Sequence, residues 1–193
     1  MLAKQAKVLS PAQVQTVLAM IGNQRHPSRN RLIFLLSIRA GLRAKEIASL
    51  TWAMVTDAEG HIGDCIRLPN QAAKGQSGGV IPMARELRAA VVAHAEQSSP
   101  FGLSDRVIQT ERSKMTTAQV IVNLFRSWFQ ALGFDGCSSH SGRRTFITRA
   151  ARNIGRFGGS LRDVQALARH RSLATTQRYI EIDAEAMRKV VDA

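Results

Sequence analysis

The first fifty residues place apolar side chains at the three- and four-residue spacing of amphipathic helices. The segment 10–13, Ser-Pro-Ala-Gln, combines an N-cap serine, a proline at the first helical position and a capping-box glutamine, so it predicts a helix start. After a polar, basic break at 23–30, the apolar positions within 32–38 predict a second helix that Gly41 ends. A third, short helix is predicted over 43–50.

From Trp52 to Met83 the helical spacing gives way to short apolar runs at 66–68 and 80–83. Turn-forming residues separate these runs, and short apolar runs between turns are typical of strands. We therefore predict a small antiparallel sheet of about three strands in this part of the chain.

Helical spacing returns after the predicted sheet. A helix is predicted over 85–97, and the capping-box pair Thr116 and Gln119 predicts the start of another that ends at Gly133. The apolar stripe of this later helix is interpreted as core packing rather than as a ligand site. It consists of Val120, Leu124, Phe125, Trp128, Phe129 and Leu132.

Three shorter helices are predicted next, over 141–154, from Ser160 with Asp163 as its capping partner, and from Ser172. A C-terminal segment at 184–193 follows, and it presents three apolar residues on one face: Met187, Val190 and Val191. The chain shows no internal repeats or low-complexity tracts. The predicted fold class is therefore mainly α with a small antiparallel β-sheet (α+β), in one domain over 1–193 with an N-terminal tail at 1–9.

The charge balance points to a polyanionic partner. The chain has 27 Lys and Arg against 14 Asp and Glu, a formal net charge of +13. Nucleic acid is the commonest polyanion, although a basic soluble protein or a membrane-surface binder would share this balance. Arginine dominates the positive charge, and its planar fork suits phosphate better than lysine does.

The two cysteines and the N-terminus indicate an intracellular protein. Cys65 and Cys137 lie far apart and lack the spacing of a zinc site, so we predict buried thiols in a reducing compartment. The start of the chain lacks the apolar run of a secretory signal, and no window reaches transmembrane length. We expect no membrane association and no metal.

Two pairs of side chains stand out by their three-residue spacing. Arg43 and Glu46 would share a helix face, which for the pair alone favours a weak surface salt bridge. His140 and Arg143 lie at the start of a predicted helix, where backbone N–H groups favour an anion. A phosphate site and a simple cap with a solvated cation are equally compatible with this second pair.

A third pair, His170 and Tyr179, flanks a short predicted helix, and each residue alone is more typical of a structural role. Taken in order with Ala-Gly-Leu-Arg-Ala-Lys-Glu-Ile at 40–47, Leu-Thr-Trp at 50–52 and His-Ser-Gly-Arg at 140–143, the pair resembles the tyrosine recombinase, or phage integrase, family. The resemblance covers nearly the entire chain.

This resemblance implies the DNA breaking-rejoining fold of the tyrosine recombinase catalytic domain and six catalytic residues. They are Arg43, Lys74, His140, Arg143, His170 and the nucleophile Tyr179, the only tyrosine in the chain. Lys74 resembles the lysine of the family's hairpin turn, and it is the only lysine between Lys45 and Lys114. Glu46 resembles the acidic residue that supports the first arginine.

The chemistry of a phosphodiester accounts for these residue types. The two arginines would bind the nonbridging oxygens and stabilise the charge that redistributes over them. Tyrosine is a poor nucleophile at neutral pH until its proton is removed, for which His140 is the candidate base. Lys74 would protonate the departing 5′ oxygen, and His170 would hydrogen-bond a phosphate oxygen. The 3′-phosphotyrosyl bond to Tyr179 retains the energy of the broken strand, so no cofactor is implied.

The resemblance also implies partners and a location. Double-stranded DNA is the expected substrate, and Arg144, Arg171 and Arg178 are expected to contact it. Four protomers work together in the family, which predicts a homotetramer on DNA, with accessory DNA-bending proteins as further partners. The segment 184–193 would dock on a neighbouring protomer, or else fold back on its own core. The expected location is cytoplasmic and nucleoid-associated, in a bacterial or phage-derived setting.

The chain departs from the family pattern in three places. Gly142 and Arg144 replace a leucine and a histidine, so the helix turn should be looser and gain a phosphate contact. Arg169 replaces a glycine before the second histidine, at a helix end that prefers a positive φ. Only nine residues precede Ser10, whereas integrases usually carry a separate core-binding domain there. The chain is therefore expected to be a minimal member or a piece of a longer protein.

Two other functions remain compatible with the sequence. A type IB topoisomerase-like enzyme would cut and reseal one strand through the same chemistry without exchange. A DNA-binding regulator would keep the fold without cutting, a hypothesis that the altered motif neighbours allow. Covalent adduct formation separates the regulator from both enzymes, and strand exchange separates the two enzymes from each other.

Overall fold

The computed structural model describes residues 5–72, 77–98, 101–111, 113–180, 188 and 191. The chain divides into two compact units, an N-terminal unit of residues 1–146 and a C-terminal unit of residues 147–193. The division falls inside α6 (Ser141–Asn153).

The N-terminal unit consists of helices with one small sheet. Its elements before α6 are α1 (Pro11–Gly22), α2 (Pro27–Ala40), α3 (Ala44–Ser49), β1 (Cys65–Leu68), β2 (Gly79–Pro82), α4 (Arg85–Glu96) and α5 (Ala118–Ala131). The predicted capping box of α1 is confirmed, because Ser10 Oγ accepts the N–H of Gln13 and Gln13 Oε1 accepts the N–H of Ser10. The helices predicted at 43–50 and 85–97 are confirmed within one residue at each end.

Helix α2 is the central element of the N-terminal unit. Residues 32–36 are fully buried, and five consecutive residues go more than once around a helix, so this stretch is apolar on all sides. It begins at Pro27, and the predicted break over 23–30 is too long. A proline at the first helical position loses no hydrogen bond, so a polar first turn can continue into the apolar run. Gly41 ends the helix at φ 64°, as predicted.

The sheet has two antiparallel strands among the described residues, with Cys65 opposite Pro82 and Leu68 opposite Gly79. The described residues contain two strands of the predicted three and no third one. Between Trp52 and β1 they form a 3₁₀ turn at Trp52–Met54 and an isolated bridge between Thr56 and Ile62. Trp52 and Val55 are buried there, so the apolar character reflects core packing of a turn.

Helix α5 confirms most of the predicted apolar stripe and corrects two details. Its N-cap is Thr117, whose hydroxyl accepts the Val120 N–H at 3.3 Å, and not Thr116. Val120 is 38% exposed, whereas Ile121 is fully buried in its place. The later positions of the stripe pack into the core as expected, with Phe125, Trp128 and Phe129 buried.

In the described part of the C-terminal unit, the second half of α6 is followed by a 3₁₀ turn (Ile154–Phe157) and then by α7 (Leu161–Ala168) and α8 (Leu173–Gln177). The predicted Ser160–Asp163 capping box is confirmed, and Ser172 is the N-cap of α8. Of the predicted C-terminal segment, Met187 and Val190 lie outside the described residues, and Val191 is 85% exposed.

Two further observations bear on the sequence predictions. In the described part of the chain, no helix combines the length and apolar character needed to span a bilayer. Cys65 and Cys137 are both free thiols, but only Cys65 is buried, so the prediction of two buried thiols holds for one of them.

Candidate active site

Arg43 is held by a buried carboxylate. It is the N-cap of α3, where its backbone N–H donates to Glu46 Oε2 at 2.8 Å and its Nη1 donates to Glu46 Oε1 at 2.8 Å. The Glu46 side chain is fully buried, while Arg43 keeps 24% of its side chain exposed. The interpretation of this pair as a weak surface salt bridge is therefore wrong, because the carboxylate of the ion pair is buried. Glu46 fixes both the backbone and the guanidinium of Arg43.

Arg143 is anchored to the turn that precedes Arg43. It is 4% exposed, and its Nη1 donates to the carbonyl of Gly41 at 2.6 Å. Gly41 lies two residues before Arg43, so their Cα atoms are at most about 7.6 Å apart. A Cβ on Gly41 would lie 2.5 Å from the ring of Phe146, which together with the positive φ restricts this position to glycine. The structure thus brings the two predicted arginines to one turn.

Gly142 has a packing role that the sequence did not reveal. A Cβ at this position would lie 2.2 Å from Ser37 Oγ and 2.8 Å from Ser37 Cβ, in the last turn of α2. Gly142 is itself buried. The missing side chain of Gly142 lets α6 approach α2 closely, and the looser helix turn expected from this glycine stays a prediction.

His140 lies immediately before α6 and is exposed to solvent. Its backbone N–H donates to Ser138 Oγ at 3.3 Å, and Ser141 Oγ accepts the N–H of Ser138 at 3.0 Å. These bonds satisfy backbone donors at the start of the helix and leave the imidazole accessible. Arg144, the predicted phosphate contact, is half-buried and donates a hydrogen bond to Gln5 Oε1.

Lys74, the predicted general acid, lies outside the described residues. In sequence it belongs to the connection between β1, which ends at Leu68, and β2, which begins at Gly79. Within the described ranges, no group of three His, Cys, Asp or Glu side chains could hold a metal ion together.

In the C-terminal unit, the backbone before His170 has the left-handed conformation that the sequence suggested. Arg169 is the C-cap of α7 with φ 55° and ψ 44°, and it is 7% exposed. A non-glycine residue in this conformation costs about 1 kcal/mol. Gln165 holds both backbone groups of His170. The Gln165 carbonyl accepts the His170 N–H at 3.1 Å, and Gln165 Nε2 donates to the His170 carbonyl at 3.0 Å.

The rings of His170 and Tyr179 are stacked, with centroids 5.5 Å apart and planes inclined by 28°. Thr176 is fully buried, and its Oγ1 lies 2.9 Å from His170 Nδ1. A hydroxyl that donates to Nδ1 leaves the proton of a neutral imidazole on Nε2, where it can be donated to an anion. Tyr179 is half-buried, and its carbonyl accepts from Thr148 Oγ1 at 3.3 Å.

The residues that position these groups were not predicted from the sequence. Ser37, Thr148, Gln165 and Thr176 carry common polar side chains without a distinctive spacing, so no pattern marks them. Among these four, only Thr176 could have been found from the sequence, because it lies between two predicted catalytic residues, six residues after His170 and three before Tyr179. The predicted DNA contacts Arg171 and Arg178 are both exposed.

The mainly helical fold with a small antiparallel sheet matches solved catalytic domains of tyrosine recombinases. A crystal structure of XerA recombinase superposes with a TM-score of 0.74 at 21% identity, over 98% of this chain and 64% of that chain. The integrase of transposon Tn1549, solved in complex with a circular intermediate DNA, gives a TM-score of 0.77 at 18% identity, over 98% of this chain and 66% of that chain. These likenesses establish the fold.

Sequence comparison establishes the family. Residues 7–186 match the model of the phage integrase family, and the chain belongs to that family. The tyrosine recombinase XerA of Thermococcus kodakarensis is 30% identical over 187 residues, which cover 95% of this chain and 61% of that protein. The chain thus spans less than two thirds of the length of this relative.

Proposed function

We propose that this chain is a site-specific DNA recombinase that cuts and rejoins strands through a 3′-phosphotyrosyl bond to Tyr179. The observation that carries the proposal is the pair of arginines at one turn, where Arg143 binds the Gly41 carbonyl beside Arg43. Two guanidiniums fixed by a buried carboxylate and a backbone carbonyl form a preorganised site for a phosphate. Family membership supports assigning this site to DNA.

The proposed reaction is an in-line displacement at phosphorus. The Tyr179 oxygen forms a bond to phosphorus while the bond to the 5′ oxygen breaks, and His140 takes the phenolic proton. Lys74 donates a proton to the departing 5′ oxygen. The hydroxyl that is released, or one from a second duplex, attacks the phosphotyrosyl bond in the reverse step. Atoms and charge balance without a metal or a nucleotide.

His170 and its neighbours would prepare the nucleophile. With the Thr176 hydroxyl, 2.9 Å from Nδ1, acting as the donor, the N–H of a neutral His170 would lie on Nε2 and would bind a phosphate oxygen. Stacking at 5.5 Å keeps the two rings together, so a phosphate held by His170 would lie near the attacking oxygen of Tyr179. Glu46 would act indirectly by fixing Arg43.

The remaining roles are proposals of the same kind. Residues 1–193 would form the catalytic domain, and the formal charge of +13 favours double-stranded DNA as its substrate. A homotetramer would assemble on DNA for strand exchange, with the segment 184–193 docking on a neighbouring protomer. Arg144, Arg171 and Arg178 would contact phosphates, and accessory proteins could bend the sites.

Covalent capture tests this proposal without knowledge of the DNA site. The chain is incubated with a pool of nicked duplexes of randomised sequence, in which cleavage releases a short strand and traps the adduct. Recovered adducts are digested, and the modified peptide is sequenced by mass spectrometry. We expect the modification on Tyr179. Tyr179→Phe, the control, should bind DNA equally and form no adduct.

Two results would overturn the proposal. In the first, the wild-type chain binds DNA tightly but forms no more adduct than Tyr179→Phe, which would indicate a DNA-binding regulator without cleavage activity. In the second, the chain relaxes a supercoiled circle but never joins strands of two duplexes, which would indicate a topoisomerase.

A further inference from the structure

The residues before α1 are bonded to the part of the chain that carries His140. Three hydrogen bonds join residues 5–9 to residues 136–145, and both segments belong to the N-terminal unit. The bonded pairs are the Lys7 N–H with the Gly136 carbonyl at 3.1 Å, the Leu9 N–H with Thr145 Oγ1 at 2.9 Å, and a guanidinium N–H of Arg144 with Gln5 Oε1. We call residues 5–9 the strap.

The strap is fixed at the end that leads into α1. Leu9 is 3% exposed and belongs to the hydrophobic core. Ser10 follows it directly and is the N-cap of α1, with both bonds of its capping box made. Because the strap is joined to the core and to a capped helix, it is a fixed support for the groups that it binds.

Thr145 links the strap to the first turn of α6. Thr145 is fully buried, and its Oγ1 donates to the Ser141 carbonyl at 2.7 Å while it accepts the Leu9 N–H. A hydroxyl has one proton to donate and lone pairs that accept, so a single oxygen serves both partners. A buried backbone N–H that loses its acceptor is strongly unfavourable. Removal of this hydroxyl should therefore release the strap from α6.

Lys7 contacts the turn before α6 in two ways. Besides the bond from its N–H, its side chain lies against Gly136, where a built Cβ would be 3.0 Å from Lys7 Cε and 3.4 Å from Lys7 Cγ. Gly136 has φ 81°, a conformation that favours glycine. The lysine stem thus passes across a glycine that the turn itself requires.

The two proposed catalytic residues between these contacts are held differently. Arg143 is fixed through its side chain, which donates to the Gly41 carbonyl at 2.6 Å. His140 is exposed and is held through its backbone, where its N–H donates to Ser138 Oγ at 3.3 Å. The position of the imidazole therefore depends on the backbone of residues 136–145.

We propose that the strap is a positioning element for His140. It binds the chain four residues before the histidine, at Gly136, and five residues after it, at Thr145, so the backbone that carries the imidazole is fixed on both sides. A general base must lie within hydrogen-bonding distance of the proton that it takes, and a displacement of about 1 Å can lower a rate about a hundredfold. This inference rests on the proposed function, because the role of His140 as the base is assigned there.

The test removes the two ends of the strap separately in the full chain. Thr145→Val removes the acceptor of one bond, and Thr145→Ser keeps it. Lys7→Pro removes the N–H donor of the other bond, and Lys7→Ala keeps it. Thr56→Val is the matched control, because Thr56 is 5% exposed and its hydroxyl also donates to a carbonyl four residues earlier, that of Trp52, at 3.0 Å.

Three measurements are made on each variant. Hydrogen exchange followed by mass spectrometry reports on the backbone of residues 136–145 without DNA. The single-turnover rate of adduct formation at saturating DNA reports on the chemistry, and it is repeated with each substitution added to His140→Ala. Thermal melting gives the loss of stability.

We expect Thr145→Val and Lys7→Pro to speed exchange over residues 136–145 and to lower the rate of adduct formation about tenfold, since a displaced base keeps part of its effect. Thr145→Ser and Lys7→Ala should react like the wild type. Thr56→Val should melt earlier and keep the wild-type rate. Added to His140→Ala, the two strap substitutions should lower the rate no further, because a residue that acts through the imidazole has no effect once the imidazole is gone.

Two results would overturn the inference. One is the same fold-loss of rate with and without His140→Ala, since the strap would then support the unit as a whole rather than the histidine. The other is wild-type exchange over residues 136–145 in both strap variants, since the bonds would then not hold this turn. If Thr145→Val fails to fold, the comparison of Lys7→Pro with Lys7→Ala decides, because Lys7 is exposed.

Failure of the proposed function gives a different result. The wild-type chain itself then forms no adduct, which overturns the strap as a catalytic positioning element as well. Faster exchange in the strap variants would in that case leave the strap as a structural tie without a role in cleavage.

Discussion

Arg143 and Tyr179, the two residues on which the proposed chemistry depends most, are held in place by opposite means. Arg143 is 4% exposed, with its side chain bound to the Gly41 carbonyl. Tyr179 is half-buried just after a five-residue helix, and its backbone carbonyl accepts from Thr148. A guanidinium keeps its charge when buried and bonded, so it can be fixed by the core, whereas a nucleophile must stay accessible.

The difference predicts different consequences of mutation. The arginine region consists of Ser37, Arg43, Glu46, Gly142 and Arg143, and it is part of the packed N-terminal unit. The tyrosine region is 165–179, where short helices carry the reacting rings. Substitutions that disturb the packing of the arginine region should mainly lower the free energy of unfolding. Substitutions in the tyrosine region should mainly lower the rate of adduct formation, with a smaller loss of stability.

The largest effect is expected from Glu46→Ala. It leaves the backbone N–H of Arg43 without its acceptor and the guanidinium without its counter-ion, which should cost about 3 kcal/mol of unfolding free energy. Urea unfolding followed by tryptophan fluorescence measures this, because Trp52 and Trp128 both belong to the N-terminal unit. The exposed residue Glu59 is the control, and Glu59→Ala should change little. Equal stabilities of the two variants would contradict the role of Glu46.

Gly142→Ala should have the next largest effect. An alanine in a helix usually stabilises it, but here the Cβ would lie 2.2 Å from Ser37 Oγ, so we expect a net loss of about 2 kcal/mol. Ser37→Ala should recover part of this loss in the double variant, because it removes that oxygen. Ser37→Ala alone should be neutral or stabilising, since Ser37 Oγ is buried and has no hydrogen-bond partner among the described residues. Additive effects of the two substitutions would refute the proposed clash.

Thr176→Val tests the tyrosine region. It keeps the volume of the side chain but removes the hydroxyl at 2.9 Å from His170 Nδ1, which should cost about 1 kcal/mol of stability. The rate of adduct formation should fall more than tenfold and shift in its pH profile, whereas Thr176→Ser should restore both. A normal rate and pH profile in the valine variant would show that Thr176 is only a packing residue.

The smallest expected effect is a loss of folding stability at acidic pH that His94, in the N-terminal unit, causes. Burial lowers the pKa of His94 below its ordinary value of 6.5, against a backbone hydrogen bond with Val107 that raises it. Below pH 6.5 the unfolded chain binds the proton more readily, so stability should be constant above this pH and fall as the pH drops towards the folded pKa. Urea midpoints above and below pH 6.5 measure the decline. His94→Gln should decline less, and an equal decline would exclude His94 as the cause.

Local sequence signals predicted local structure well where the determining contacts are close in the chain. The capping residues Ser10 and Ser160 and the helix-ending Gly41 act on backbone groups within a few residues. The same signals failed where a distant contact decides. Trp52 lies in a 3₁₀ turn that the core buries, within the stretch for which about three strands were predicted, and Val120 fitted a helical stripe but is exposed in the packed helix.

The sequence by itself determined the helix starts at Ser10, Ser160 and Ser172, the fold class and the family, because these follow from spacing and residue order. Only the tertiary structure decided how the candidate site residues are held. Glu46 is a buried anchor rather than a surface partner, Gly142 is a contact point for α2, and Thr176 bonds His170. The reason is physical: burial and hydrogen bonding between distant residues depend on how the helices pack, which local spacing does not encode.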